Sequence, residues 1–202
     1  MRRPLVALAP AFLFIAAMLN AAVSSEIGKP SHESPTVLIA TLGDSAIRIL
    51  KNDSLAHQEK IDQFDALLSS AFDWEQVGAY SLGEYRDTIE PAQFDEYRDV
   101  FSRYMVKIYA AKMAAYSGES FIITGEKQFL AGHSEVRTEV RGPTRSPIPI
   151  MFLLDRDETG FKVHDVIIEG VSLLATKREE VTSVIARGGI GPLIAKLKQS
   201  GN

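Results

Sequence analysis

The spacing of apolar residues changes near Gly118, and this change constrains the fold more than any other feature of the sequence. Before that glycine, apolar residues recur at steps of three and four, which predicts a long helix that begins at Pro91 and ends near Gly118. These residues are Phe94, Tyr97, Phe101, Tyr104, Ile108, Ala111 and Ala115. After Gly118, apolar and polar residues alternate, which predicts half-buried strands.

Shorter helices are predicted before the long one. Ser34 and Pro35 are typical of an N-cap followed by the first helical residue, and apolar residues at helical spacing continue to Leu50. Residues 52–54 are expected to end this helix and to cap the next one. A further short helix is expected around residues 73–82.

Strands and a final helical segment are predicted after Gly118. The expected strands lie near residues 121–123, 136–140, 148–154 and 161–168, and the helical segment over residues 172–198 with a break at 188–189. Helices, then a meander of strands, then helices predict an α+β fold. We expect an antiparallel sheet of about four strands with helices packed on one face, enclosing an apolar cavity.

The N-terminus has the layout of a secretory signal peptide. Arg2 and Arg3 precede an apolar run, and small residues follow at 21–25. Cleavage before Ser25 makes residues 1–24 the signal peptide, and cleavage after Ala22 is the alternative. A retained transmembrane anchor is the other alternative, but the apolar run is shorter than the roughly 20 residues that span a bilayer. Residues 25–34 are expected to form a flexible leader.

Charge and cysteine content exclude several kinds of function. Two of the 22 basic residues lie in the signal segment, so the remainder has 20 basic against 26 acidic residues and a net charge of −6. A mildly acidic domain lacks the basic surface that nucleic acid requires. The chain has no cysteine, which excludes disulfides, thiolate metal sites and cysteine nucleophiles.

No set of residues in the sequence predicts catalysis or metal binding. His164 and Asp165 are the best catalytic candidates, but neighbouring residues of a regular strand point to opposite faces, so they should not act as a pair. Asp165 and Glu169 share a face, and we favour hydrogen bonds to loop or helix-end N–H groups over acid–base work. His133 and Glu135 share a face too, yet two ligands without a third favour a surface pair over a metal site.

Several segments resemble the MlaC, or toluene-tolerance, family of periplasmic phospholipid-binding proteins. The strongest is DVIIEGVSL at residues 165–173, followed by Thr176 and Lys177. GGIGPLI at 188–194 is similar to the family's glycine break and last helix, and LGEY at 82–85 with PAQ at 91–93 to its helix pair and long helix. The resemblance covers about residues 37–198. Residues 109–121 also resemble the hopanoid-associated branch, which leaves phospholipid and hopanoid open as ligand.

The resemblance implies a soluble periplasmic carrier that shuttles phospholipid between an outer-membrane lipid-transfer complex and an inner-membrane ABC transporter complex. It implies an NTF2-like fold with acyl chains buried between sheet and helices, so residues 35–199 should form a single lipid-binding domain. A carrier needs apolar lining rather than catalytic groups. We therefore expect a monomer with no enzyme activity and no cofactor.

The expected lipid contacts come from the long helix and from one face of the strands. They are Phe101, Tyr104, Ile108, Phe121, Ile123, Val136, Val140, Ile150, Phe152, Leu154, Val163 and Ile167. Two alternatives stay open: an NTF2-like enzyme that uses Asp165 or His164, and a ligand-free adaptor domain. The cavity distinguishes them, since a carrier needs a long dry cavity, an enzyme a small one with a charged floor, and an adaptor none.

Overall fold

The computed structural model describes residues 33–113, 118–142 and 146–201. The predicted signal peptide at 1–24 and most of the predicted leader lie outside these residues. Four α-helices come first, with a 3₁₀ segment at Gly83–Thr88 before the last of them. They are α1 (Pro35–Lys51), α2 (His57–Ala71), α3 (Trp74–Leu82) and α4 (Pro91–Met113). Helix α4 is predicted to end near Gly118. Residues 114–117, just before that glycine, lie outside the described residues.

The helix starts depend on local capping. Ser34 Oγ accepts a hydrogen bond from the Val37 N–H and Pro35 begins α1, as predicted. Asp73 caps α3 through the Gln76 N–H. The predicted cap of α2 within residues 52–54 is wrong, because Ala56 occupies the N-cap position and its N–H is satisfied by the Glu59 carboxylate at 2.7 Å.

Five antiparallel strands form an open meander in the order β1-β2-β3-β4-β5. They are β1 (Ser120–Gln128), β2 (Ser134–Arg141), β3 (Ile148–Asp157), β4 (Gly160–Ile168) and β5 (Val171–Ser172). Two helices follow, α5 (Leu173–Gly188) and α6 (Ile190–Gly201), separated at Gly189 as expected. The α+β class and the antiparallel sheet are confirmed. β5 is an addition, because two residues are too few to produce a periodic pattern.

The core consists of two separate hydrophobic clusters. The first lies between α1, α2, the C-terminal half of α4 and the sheet, and includes Leu38, Ala110 and Leu154. The second lies among α3, α4, α5 and α6, and includes Tyr97 and Phe101. The Trp74 ring packs against both clusters, so it lies where they meet.

The helices were also compared with the length and apolarity that crossing a bilayer requires. Within residues 33–113, 118–142 and 146–201, no helix meets both requirements.

Candidate functional site

A cavity of about 580 Å³ lies between the two hydrophobic clusters. Its walls come from α1, α2, α3, α4, α5 and strands β1 to β4, and most of the lining side chains are apolar. This size is in the range of small-molecule sites in proteins. The lining residues from α1 and α2 are Leu42, Gly43, Ala46, Ile47, Leu50, Phe64, Leu67 and Leu68.

One edge of the sheet forms the mouth of this cavity. Ser120 begins β1, Gly142 follows β2 and Ser146 precedes β3, and all three line the cavity together with Glu119. Antiparallel pairing places Ser120 beside Arg141, so these strand ends meet at the same edge. Ser120 and Ser146 are exposed, which shows that the cavity meets solvent here. We define the mouth as Glu119, Ser120, Gly142 and Ser146.

The sheet wall of the cavity uses the even-numbered residues of β3. Ile148, Ile150 and Phe152 line the cavity, whereas Met151 pairs with Arg137 and Ile167 on the opposite face. Phe121 and Val140 line it from β1 and β2, and Val166 and Ile168 from β4. Phe121, Val140, Ile150 and Phe152 are thus the four of the twelve predicted contacts that border the cavity.

Helix α4 turns a different face to the cavity from the one expected. Met105 and Tyr109 line it, one turn apart on the helix. Phe101 is buried in the second cluster, and Tyr104 and Ile108 pack against that cluster instead. The apolar stripe of α4 therefore packs on α3, α5 and α6, whereas Met105 and Tyr109, which lie beside the stripe, line the cavity.

The other predicted contacts have packing positions. Val136, Leu154 and Val163 are fully buried in the first cluster, and Ile123 packs against it. Ile167 lies on the opposite face of the sheet with Met151. The lining residues of α1 and α2 are not among the predicted contacts, although several of them, such as Leu42, Ala46 and Leu67, recur at helical spacing. Periodicity identifies a buried face, but it does not distinguish a packed interior from a cavity wall.

Asp165 has a structural role at the start of α5. Its Oδ1 accepts hydrogen bonds from the N–H groups of Val166 at 2.7 Å and Leu174 at 3.1 Å. Its Oδ2 accepts one from the Ser172 hydroxyl at 2.6 Å, and Ser172 caps the helix through the Ala175 N–H. The favoured hydrogen bonding of Asp165 to helix-end N–H groups is confirmed. A carboxylate here also suits the positive end of the helix dipole.

A β-bulge changes the expected geometry of His164 and Asp165. Leu153 pairs with Asp165 and Leu154 with Val163, so His164 is the extra residue. Both His164 and Asp165 border the cavity. The predicted alternation between opposite faces is therefore interrupted at this point, because a bulge breaks the period of two.

His133, just before β2, and His164 in β4 both lie beside Asp155 on β3. His133 Nδ1 lies 2.5 Å from Asp155 Oδ1, and His164 Nδ1 lies 3.0 Å from Asp155 Oδ2. Gln76 Nε2 donates to the same carboxylate at 2.9 Å. Burial alone raises the pKa of Asp155, but the hydrogen bonds from Gln76 and His133 and the nearby His164 lower it below its ordinary value.

His133 and Glu135 do not form a site together. Glu135 is paired with Arg137 at 3.4 Å, while His133 contacts Asp155. In the described part of the chain, no group of three or more His, Cys, Asp or Glu side chains has a geometry that could hold a metal ion. His133 and Glu135 are thus each engaged by a different residue.

Comparisons with known proteins agree on one family. The family model described as MlaC protein matches residues 40–199. A curated relative from Haemophilus influenzae, the intermembrane phospholipid transport system binding protein MlaC, is 26% identical over 183 residues, covering 84% of this chain and 83% of the relative. A solved phospholipid-binding protein from Ralstonia solanacearum, in complex with a phospholipid, superposes with a TM-score of 0.71 at 19% identity, covering 86% of this chain and 97% of that one. The last likeness shows the fold.

Proposed function

This chain belongs to the MlaC protein family, and from that membership we propose that it is a periplasmic carrier that binds phospholipid and moves it between membranes. The observation that carries the proposal is the apolar cavity of about 580 Å³ between sheet and helices. A water-insoluble acyl chain needs such a compartment while it crosses an aqueous space.

The lining supports binding through acyl burial. Each buried CH₂ group contributes about 0.8 kcal/mol, so a chain of ordinary length gains affinity without specific polar contacts. The exposed polar residues Ser120 and Ser146 lie at the mouth, where a polar headgroup can remain in water. The apolar walls lie behind them, at Ile150, Phe152 and Leu67. This order of polar rim and apolar interior matches the chemistry of an amphiphile.

The enzyme alternative has less support. Both carboxylate oxygens of Asp165 accept hydrogen bonds within the protein. His164 Nδ1 lies 3.0 Å from an Asp155 carboxylate oxygen, without the geometry of a hydrogen bond. The Asp165 carboxylate is thus engaged within the protein rather than available as a base, and acid–base work by His164 would have to proceed without it. The adaptor alternative does not account for the cavity, because an apolar void reduces stability unless a ligand occupies it.

The proposed transport route runs through the periplasm, between the outer and the inner membrane. The predicted signal peptide at residues 1–24 would deliver the chain to the periplasm, with an outer-membrane lipid-transfer complex and an inner-membrane ABC transporter complex as partners. The curated relative is named for an intermembrane phospholipid transport system, which supports this route for the present chain. We propose that residues 35–199 act as one lipid-binding domain and that the carrier is a monomer.

The test measures lipid bound to protein purified without detergent from the periplasm of a Gram-negative host. Lipid extraction and mass spectrometry should recover phospholipid in near-stoichiometric amount, rather than a hopanoid. Ile150→Asp places a charge in the cavity wall and should abolish occupancy, because an unpaired charge is costly to desolvate. Met151→Asp is the matched control, since the next residue along β3 faces away from the cavity.

The control variant should keep its lipid and both variants should retain the far-UV circular dichroism of the parent. Apoprotein recovered repeatedly from the parent chain, with no uptake from phospholipid vesicles, would contradict the carrier function. Equal loss of lipid in folded Ile150→Asp and Met151→Asp would show that the cavity is not where the lipid binds.

A further inference from the structure

The inner end of the cavity combines polar and apolar side chains. Strand β4 lines the cavity from Ile168, which pairs beside the start of β3 at the mouth edge, inward to His164. These residues are four positions apart, so His164 lies roughly 13 Å from that end of the strand. Phe72 forms a β-bridge with Val163, the residue before His164. Helix α3 begins two residues after Phe72, at Trp74, which places Trp74 at the same depth. Trp74 and His164 both line the cavity, and we call them the inner pair.

Both residues of the inner pair carry a nitrogen atom without a hydrogen-bond partner. In the described part of the chain, four side-chain nitrogen or oxygen atoms are buried without such a partner. Trp74 Nε1 and His164 Nδ1 are the two that belong to residues of the cavity wall. An indole nitrogen can only donate, so Trp74 requires an acceptor. Leaving a buried N–H without an acceptor costs free energy, which a ligand that supplies one would recover.

The His164 ring has its second nitrogen available at the cavity wall. Nδ1 lies 3.0 Å from Asp155 Oδ2, and Gln76 Nε2 donates to the same oxygen at 2.9 Å. Nδ1 is buried, although the His164 side chain as a whole is 22% exposed. Among the described residues, Nε2 has no hydrogen-bond partner and, unlike Nδ1, is not buried. Asp155 therefore orients the ring from the Nδ1 side, and Nε2 is left for a ligand.

The groups around the inner pair do not satisfy it. Asp165 also lines the cavity, but both of its carboxylate oxygens accept hydrogen bonds at the start of α5. The Phe72 ring stacks on Trp74 with 5.5 Å between centroids, and Val166 lines the cavity on the mouth side of His164. The inner pair is therefore a polar spot bordered by apolar wall.

We propose that Trp74 and His164 form a polar subsite that binds an oxygen atom carried partway along an acyl chain, as in a hydroxylated acyl chain. This rests on the proposed lipid-binding function and narrows its substrate class. A hydroxyl group both accepts and donates, so it suits the indole N–H and the imidazole Nε2 together. A plain hydrocarbon chain leaves both nitrogen atoms unpaired. Because Trp74 Nε1 is shielded from water, its bond to the ligand requires a small turn of the indole ring.

The experiment compares two single-chain probes that differ in one hydroxyl group on the acyl chain, ricinoleoyl and oleoyl lysophosphatidylcholine, on delipidated protein. The parent chain should bind the ricinoleoyl probe about fivefold more tightly, as expected for one net hydrogen bond. His164→Phe and Trp74→Phe each keep a ring but remove the nitrogen, so each should reduce this preference. His164→Gln supplies an amide and should retain part of it. His133→Phe is the matched control, because His133 contacts the same Asp155 but does not line the cavity.

Equal affinity of the parent protein for the two probes would overturn the polar subsite and leave the carrier function intact. This comparison needs no variant, so a variant that fails to fold does not remove the test. An undiminished preference in folded His164→Phe and Trp74→Phe would also overturn the subsite. An equal loss of preference in His133→Phe and His164→Phe would overturn the direct contact, because the effect would then come through Asp155. Binding of neither probe would contradict the carrier function itself.

Discussion

The ring of Phe121 on β1 lies directly against the backbone of Gly43 on α1, and a Cβ atom at residue 43 would overlap that ring. Both residues line the cavity, and the Phe121 ring contacts Phe152 edge-on at 6.2 Å between centroids. Glycine within a helix costs about 1 kcal/mol relative to alanine. Its presence in α1 is explained by the close approach of the Phe121 ring, which sets the width of the cavity.

Gly43→Ala should therefore reduce lipid occupancy, because the displaced Phe121 ring has the cavity as the nearest free space. Bound lipid per protein, measured by extraction and mass spectrometry, is expected to fall. Phe121→Ala in the same chain should restore it. Gly78→Ala is the control, since a Cβ atom there meets its nearest neighbours at an ordinary 3.6 Å and should stabilise the helix by up to about 1 kcal/mol. Full occupancy in Gly43→Ala would contradict the overlap.

Replacement of an alanine by leucine should have different effects at a residue of the cavity wall and at a residue of the packed core. Ala46 lines the cavity, whereas Ala110 is buried in the first cluster without bordering the cavity. Ala46→Leu should be tolerated in the lipid-free protein and should lower lipid content. Ala110→Leu overpacks a filled space and should cost about 1–3 kcal/mol of unfolding free energy. Urea unfolding of the delipidated protein measures the unfolding free energy of both variants. Equal destabilisation of the two would show that the space beside Ala46 is filled.

Asp165→Asn should destabilise the protein while leaving lipid occupancy largely intact. The change weakens the hydrogen bonds to Ser172 and Leu174 and removes a charge that suits the start of α5. A cost of about 1–2 kcal/mol is expected, as for other helix caps. Asp53→Asn, at an exposed residue between α1 and α2, is the control. Loss of lipid at unchanged stability would instead assign Asp165 a direct contact with ligand.

Asp155→Asn should lower stability in a pH-dependent way. The folded-state pKa of Asp155 is depressed, so its stabilisation is complete above the ordinary carboxyl pKa and is lost as the pH falls through the folded value. Relative to the parent, the variant should lose about 1–3 kcal/mol at pH 6. The difference should shrink below a pH of about 4. Urea unfolding at several pH values measures this, and a difference independent of pH would contradict the ionic role.

The elements of this fold could be predicted from spacing and caps, but the lining of the cavity could not. Ser34 and Pro35 identified the start of α1, and the alternation in β2 identified its buried face, because these signals are local. The nearly all-apolar run of β3 did not identify which of its faces lines the cavity. The choice of Met105 and Tyr109 over Tyr104 and Ile108 depends on how α4 rotates against α5 and α6. That rotation is set by packing between distant segments, which the spacing within α4 does not encode.

The bulge at His164 is a second feature that the spacing of residues in the sequence does not predict. One extra residue in β4 brings His164 and Asp165 to the same cavity, while the sequence of that strand looks like a regular alternation. The partner that reveals the bulge is β3, through the pairing of Leu153 and Leu154. In contrast, the capping role of Asp165 could be predicted, because Ser172 and the start of α5 follow closely in the chain.

The two hydrophobic clusters make a loaded carrier a different folding unit from an empty one. With the cavity empty, the clusters are joined by Trp74, which packs against both, and by α4, which contributes Ala110 to the first cluster and Phe101 to the second. A bound acyl chain would contact Phe152 of one cluster and Met105 of the other, and would act as a removable part of the interior. Delivery of the lipid would then return the protein to a less cooperative form, in which the helices of the second cluster can open before the sheet does.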